Sequence, residues 1–196
     1  SAGSPNAPYT YRWYTVATGG TILHTGTSYT TPNLTASTTY YIEAVSAAGC
    51  VSSRTAATVT VNALPTAPTV TGSSRCGTGT VTLTAAGTPS GGTYKWYTVA
   101  TGGTAISGAT AATYTTPSLT ATTTYYVSTV SSSNCESTRT AVTATINAVP
   151  TAPTVTGAER CGAGTVTLTA SGTPSGGTYR WYTVATGGTA INGATS

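Results

Sequence analysis

The chain repeats itself every 85 residues. Trp96 and Trp181, Cys76 and Cys161, and Cys50 and Cys135 are each 85 apart, and residues 64–111 match 149–196 at 40 of 48 positions. Trp13 to Trp96 is 83, because the first copy is two residues shorter between Thr21 and Tyr29. Every copy carries one Trp inside a run such as Gly92-Thr-Tyr-Lys-Trp-Tyr-Thr-Val-Ala-Thr-Gly-Gly-Thr104. That run is β-branched and aromatic and stops at Gly-Gly, so it reads as a strand followed by a turn. A unit of this length holds one small β-domain and has no room for a deep core. Stability in such a chain is summed locally, repeat by repeat.

The repeat divides the chain into 1–62, the back of one unit; 63–147, a complete unit; and 148–196, the front of a third. A part-sandwich leaves strand edges and core open. The expectation is therefore that these 196 residues are a window on a longer array.

Thr supplies 51 residues, charged residues make up 5%, and there is no Phe, Met or Asp. Thr, Val and Tyr favour strands, whereas Glu, Lys and Leu are scarce. Low apolar content joined to high net charge would mean disorder, but the net charge is only +4. The strict period, the Trp and the paired Cys argue against a mucin-like stalk. Arg12, Arg54, Arg75, Lys95, Arg139, Arg160 and Arg180 are spread singly, which is not the clustered basic face of a nucleic-acid binder. No run of 18 apolar residues is present to span a membrane.

In the complete repeat, Ala63-Leu-Pro-Thr-Ala-Pro68 is a stiff linker, copied at Ala148–Pro153. Short strands are expected over Thr69–Gly72, Thr80–Ala85, the Trp run, Thr104–Gly108, Thr113–Pro117, the end of Leu119–Val130, and Thr140–Asn147. Turns fall at Arg75–Gly79, Gly87–Gly92 and Ser131–Asn134. The pattern is all-β, with no helix.

Leu83, Trp96 and the run Leu119 to Tyr125-Tyr-Val127 resemble an immunoglobulin-like sandwich. In that resemblance Leu83 and Val127 take the two places of the antibody inter-sheet cystine, and Tyr125 takes that of the corner tyrosine. Cys-Gly-x-Gly-x-Val-x-Leu, Trp-Tyr-x-x-x-x-Gly-Gly, Tyr-Thr-Thr-Pro, Thr-Tyr-Tyr and a late Cys with x-Ser-x-Arg-Thr together resemble the Ig-like repeats of very large surface proteins of gliding, Bacteroidetes-type bacteria. The resemblance implies tandem Ig-like β-sandwich repeats arranged as a rod. It also implies an extracellular, cell-surface adhesin or fibre exported by type IX secretion.

Chemistry fails on inventory. The acids are Glu43, Glu136 and Glu159, the single histidine is His24, and none of the acids recurs at its repeat-equivalent position. Glu43 aligns with Ser128 and Glu136 with Val51. Neither a carboxylate pair nor a Ser/His triad can be assembled per repeat. Calcium cages need several carboxylates, and two cysteines without histidine make no zinc site. No enzyme activity, metal or cofactor is expected.

Alternation sets Trp96 opposite Lys95 and Tyr97, so Trp13, Trp96 and Trp181 are expected as core pins beside Leu83, Tyr125 and Val127. The opposite face would then show Tyr97 and Val99 beside Tyr126, Ser128 and Val130, with Tyr14, Val16, Tyr41 and Val45 as the first repeat's counterparts. Tyr14, Tyr41, Tyr97 and Tyr126 are the candidate contact surface. Its candidate partners are neighbouring repeats, other copies of the chain in a fibre, or surface glycans. Cys50, Cys76, Cys135 and Cys161 are expected to be oxidised in an extracellular compartment. Pairing within a repeat (Cys76 with Cys135) and pairing between successive repeats both stay open, and the pole-to-pole geometry of the resembled fold favours the second. The leading functional reading is a structural stalk. The alternative is an array of carbohydrate-binding modules using outward Tyr.

Overall fold

The computed structural model describes residues 9–87, 90–172 and 176–195. It contains strands and turns and, among the described residues, no helix. The first repeat supplies β1 (Thr10–Tyr14), β2 (His24–Thr25), β3 (Thr38–Val45) and β4 (Thr55–Val59), in the order β2-β1-β3-β4. The second supplies β5 (Thr69–Thr71), β6 (Ser73–Cys76), β7 (Thr82–Ala86), β8 (Thr93–Tyr97), β9 (Thr113–Thr115), β10 (Thr123–Val130) and β11 (Thr140–Asn147). These form one sheet ordered β6-β11-β10-β8 and one ordered β5-β7-β9. In the third, β12 (Thr154–Thr156) pairs antiparallel with β13 (Thr169–Ser171). The architecture is that of immunoglobulin-like β-sandwich repeats.

Packing divides the chain into two compact units. One holds Ser1–Thr69, Ala85–Ala112 and Tyr126–Thr140; the other holds Val70–Thr84, Thr113–Tyr125 and Ala141–Ser196. In the first unit Trp96 is fully buried, and Tyr94, Val127, Thr129 and Val130 are buried with it. The indole of Trp96 donates to Ala111 O at 3.0 Å; that of Trp13, half-buried, donates to Gly26 O at 2.9 Å. In the second unit Leu83, Val81, Tyr125, Val142 and Ala144 are buried, with the Tyr114 and Tyr125 rings 5.3 Å apart. Thr116 is buried too. Its hydroxyl accepts from Val81 N at 3.0 Å and donates to Pro117 O at 2.9 Å, so its burial leaves no polar group wanting. Trp181 is half-buried.

Two local expectations are corrected. Arg75-Cys76 is not a turn but the end of β6, which runs parallel to β11 with Cys76 facing Asn147. The opening strand breaks at Gly72 and resumes in the other sheet. A side chain there would meet the carbonyl oxygen of Thr143 at 2.6 Å, so only glycine admits the close pass. Thr104–Gly108 is not an edge strand either. Ile106 N donates to Trp96 O of β8, and the chain turns at Gly108, φ 75°, before Thr110 O accepts from Tyr94 N. The first repeat lacks two residues here, and the equivalent segment lies flat as β2 (Leu23 N to Trp13 O, 2.8 Å). Of the loop expected at Gly87–Gly92, Thr88 and Pro89 lie outside the described residues.

Candidate functional site

The Trp strand ends in a loop with the same sequence in all three repeats, Thr-Val-Ala-Thr-Gly-Gly, at 15–20, 98–103 and 183–188. Both glycines of each copy sit at positive φ, 64° and 65° at Gly102 and Gly103. A Cβ on the second glycine would strike the Val side chain four residues earlier at 2.6 Å in every copy. The loop is thus a tight, Gly-dependent fold with its valine outside: Val16, Val99 and Val184 are all exposed.

An arginine holds this loop. Arg139 Nη1 donates to Val99 O at 2.9 Å and to Gly102 O at 2.8 Å, and its guanidinium lies 3.2 Å over the Tyr97 ring. Arg54 does the same in the first repeat, to Val16 O at 2.8 Å and Gly19 O at 2.7 Å, 3.3 Å over Tyr14. Such stacking is worth roughly 0.5–2 kcal/mol, more as water is excluded. Each tyrosine hydroxyl then donates 2.6 Å to a carboxylate, Tyr97 to Glu136 Oε1 and Tyr14 to Glu43 Oε1.

The two carboxylates come from different places. Glu43 is on β3 and Glu136 follows β10; neither aligns with the other. Ser128, which does align with Glu43, donates to Glu136 Oε1 at 2.7 Å. The charge partners differ as well. Arg54 Nε pairs with Glu43 at 3.2 Å, while Lys95 Nζ pairs with Glu136 at 3.1 Å. One point in space is filled from two positions in the sequence.

The electrostatics follow from these contacts. The Tyr14 hydroxyl, assisted by Arg54 and Arg12, holds the Glu43 carboxyl below its ordinary range against the opposing effect of burial. Burial alone would raise Glu136; hydrogen bonds from Tyr97, Ser128 and Lys95, with the Lys95 charge, outweigh it and leave it lowered. Burial and the adjacent Glu136 push the Tyr97 phenol up. All of these groups serve one another. Beside them lies an open hollow of about 620 Å³ lined by Ala100, Thr101, Gly102, Glu136 and Arg139 among others. Its charged groups, Glu136 and Arg139, are already engaged inside the clamp.

The expected contact surface is therefore corrected. Tyr14 and Tyr97 are each 4% exposed, covered by Arg54 and Arg139. Tyr41 and Tyr126, their cross-strand neighbours in register, are half-buried. Ser128, Val130 and Val45 are buried rather than open. In the third repeat Tyr182 is 45% exposed. The four cysteines are not paired with one another; Cys50, Cys76 and Cys161 are exposed and Cys135 is half-buried. Among the described residues no group of three or more His, Cys, Asp or Glu gathers as a metal site, and no helix is long and apolar enough to cross a membrane. The residues that sequence reasoning passed over are Arg54 and Arg139, each inside a recurring x-Ser-x-Arg-Thr. In a chain with seven basic residues, that recurrence was the available signal.

The sequence pattern of the family described as "Ig-like domain CHU_C associated" matches residues 1–63, 65–147 and 150–196. The chain belongs to that family. Ig-like domains of this kind are often structural or linker modules, typically extracellular and generally without enzyme activity. Two solved structures are similar to this CHU_C-associated chain at a distance. One is described as the fibronectin(III)-like modules of Clostridium thermocellum CbhA, with 17% identity over 76% of this chain and 83% of that one and a TM-score of 0.43. The other comes from a study of Dscam isoform specificity, with 14% identity over 72% and 38% and a TM-score of 0.30. No curated protein matches the sequence.

Proposed function

We propose that the chain is part of a stalk or fibre of a bacterial cell-surface adhesin, exported and extracellular, in which Ig-like repeats stand in tandem as a rod. Its units in this reading are 1–62, 63–147 and 148–196. The observation that carries it is how the first two repeats spend their scarce reactive side chains. Arg139, Glu136, Lys95 and Tyr97 bind one another and the repeat's own loop, and Arg54, Glu43 and Tyr14 do likewise. A unit that commits its charges internally is made to hold shape. Pro-containing linkers of six residues at 63–68 and 148–153 keep successive units from swinging freely. The carbohydrate-binding alternative, which would use outward-facing Tyr, is weakened by the cover that Arg54 and Arg139 place over Tyr14 and Tyr97.

Small-angle scattering from chains of increasing repeat number tests this. The longest dimension should grow by a constant step of roughly 35–40 Å per repeat, from ~3.3 Å per strand residue plus loops, at constant cross-section. A compact particle, or saturable binding on a glycan array, would overturn the reading.

A further inference from the structure

The two cysteines of a repeat stand at its two doors. Cys76 faces Asn147, the last residue of β11, and Gly77 N donates to Asn147 O at 2.9 Å. The Cβ that Gly77 lacks would meet Val149 of the outgoing linker at 3.0 Å. The early cysteine therefore sits where the chain leaves the repeat. Cys135 closes the turn after β10, with Ser131 N donating to Cys135 O at 2.9 Å and Cys135 N to Ser131 Oγ at 3.1 Å. Thr129, just before that turn, donates its hydroxyl to Thr66 O of the incoming linker at 2.6 Å. Thr140, just after it, donates to Pro68 O at 2.8 Å. The late cysteine therefore sits where the chain enters.

β11 runs from the entrance, at Thr140, to the exit, at Asn147, and its eight residues span about 23 Å at ~3.3 Å each. A disulfide needs its Cα atoms within about 7 Å. Cys76 and Cys135 thus do not suit each other, yet both sulfurs recur with the 85-residue period, at Cys161 and Cys50. Exit meets entrance only at a junction between repeats.

We propose that the early cysteine of each repeat forms a disulfide with the late cysteine of the repeat that follows it. This rests on the tandem-rod reading above. Two S–H bonds break, one S–S bond forms and two protons leave. The two electrons reduce a disulfide of a small thiol carrier, such as glutathione disulfide, to two thiols. Cys76 takes its partner from the later part of the third unit, Cys135 takes its partner from the early part of the first unit, and Cys50 takes its partner from the unit before the first. The staple fixes the angle at each junction and carries tension past the linker.

The test lengthens the chain by appending a copy of residues 112–147 after Ser196, which completes the third repeat with its late cysteine. Trypsin puts every cysteine in a separate peptide, since Arg75 precedes Cys76 and Arg or Lys separates the rest. After equilibration with oxidised and reduced glutathione, the expected product joins the peptide 76–95 to the peptide beginning at Trp181. Two of the five thiols are then lost to titration, and Cys76→Ser abolishes that loss. A 76–95 peptide joined to 96–139, or five surviving thiols, overturns the proposal. The unextended chain gives a second reading that needs no new folding. All four of its thiols should survive the same treatment, and a Cys76–Cys135 link there also overturns it. Scattering from the reduced protein reports on the rod separately, so a bent chain and an absent staple are told apart.

Discussion

The hydroxyl of Tyr97 donates a 2.6 Å hydrogen bond to Glu136, and the hydroxyl of Tyr14 makes the same bond to Glu43, although the two glutamates occupy non-equivalent positions. The tyrosine and the arginine above it are fixed by the repeat. The carboxylate is fixed only in space.

Transposing the acid should therefore rescue its loss. Glu136→Val strips Tyr97 and Ser128 of a charged acceptor at a half-buried site, which should cost about 1 kcal/mol. Adding Ser128→Glu to that variant recreates the first repeat's arrangement and should recover most of the loss. Urea midpoints of the single and double variants measure it; a double variant no better than the single one would show that the sites are not interchangeable.

Stability should fall at both ends of the pH scale. Glu43 and Glu136 have folded values below the unfolded value of about 4.3, so their contribution is present above it and is lost as pH drops through the folded values. Tyr97 is raised above about 10. Its contribution is present below that value and is lost as pH climbs through the folded one. Denaturation midpoints against pH should show Glu136→Gln shrinking the acid limb. Tyr97→Phe should shrink the alkaline limb.

Neighbouring glycines should differ in cost. Gly102 and Gly103 share positive φ, but a side chain at Gly102 meets open space whereas one at Gly103 meets Val99 at 2.6 Å. Gly102→Ala should cost roughly 1 kcal/mol for the backbone alone. Gly103→Ala should cost more, and Val99→Ala should relieve part of the excess. Thermal melts of the three variants order them.

The tryptophans should not be equal either. Trp96 has no exposed surface, so Trp96→Ala should cost about 3–5 kcal/mol. Trp13 is half-buried, and its alanine variant should lose distinctly less. Guanidinium unfolding followed by circular dichroism compares them.

Much of the sheet structure was legible because a strand's side-chain period is local. Lys95 must reach water, so Trp96 turns the other way, and its exposure is zero. The same alternation turns Tyr97 away from Trp96, but it could not say what covers the far face. The cover is Arg139, forty residues beyond Val99, brought in by the β10–β11 connection. The break at Gly72 was likewise hidden, because the carbonyl that demands glycine belongs to Thr143 on another strand. The acids were set aside because they do not recur in register. The clamp shows that register along the chain and coincidence in space are separate properties.

Two addresses for one carboxylate also constrain descent. A lineage moving the acid from the Glu43 position to the Glu136 position passes through a repeat with both glutamates or with neither. Neither leaves a phenol and a guanidinium facing each other with no anion between them. Both set two carboxylates about one hydroxyl, and such a pair relieves itself by keeping a single proton. The doubly acidic ancestor is the gentler route, since a proton from solvent can stand in until one glutamate is lost. Drift at either position is then free only while the other is occupied.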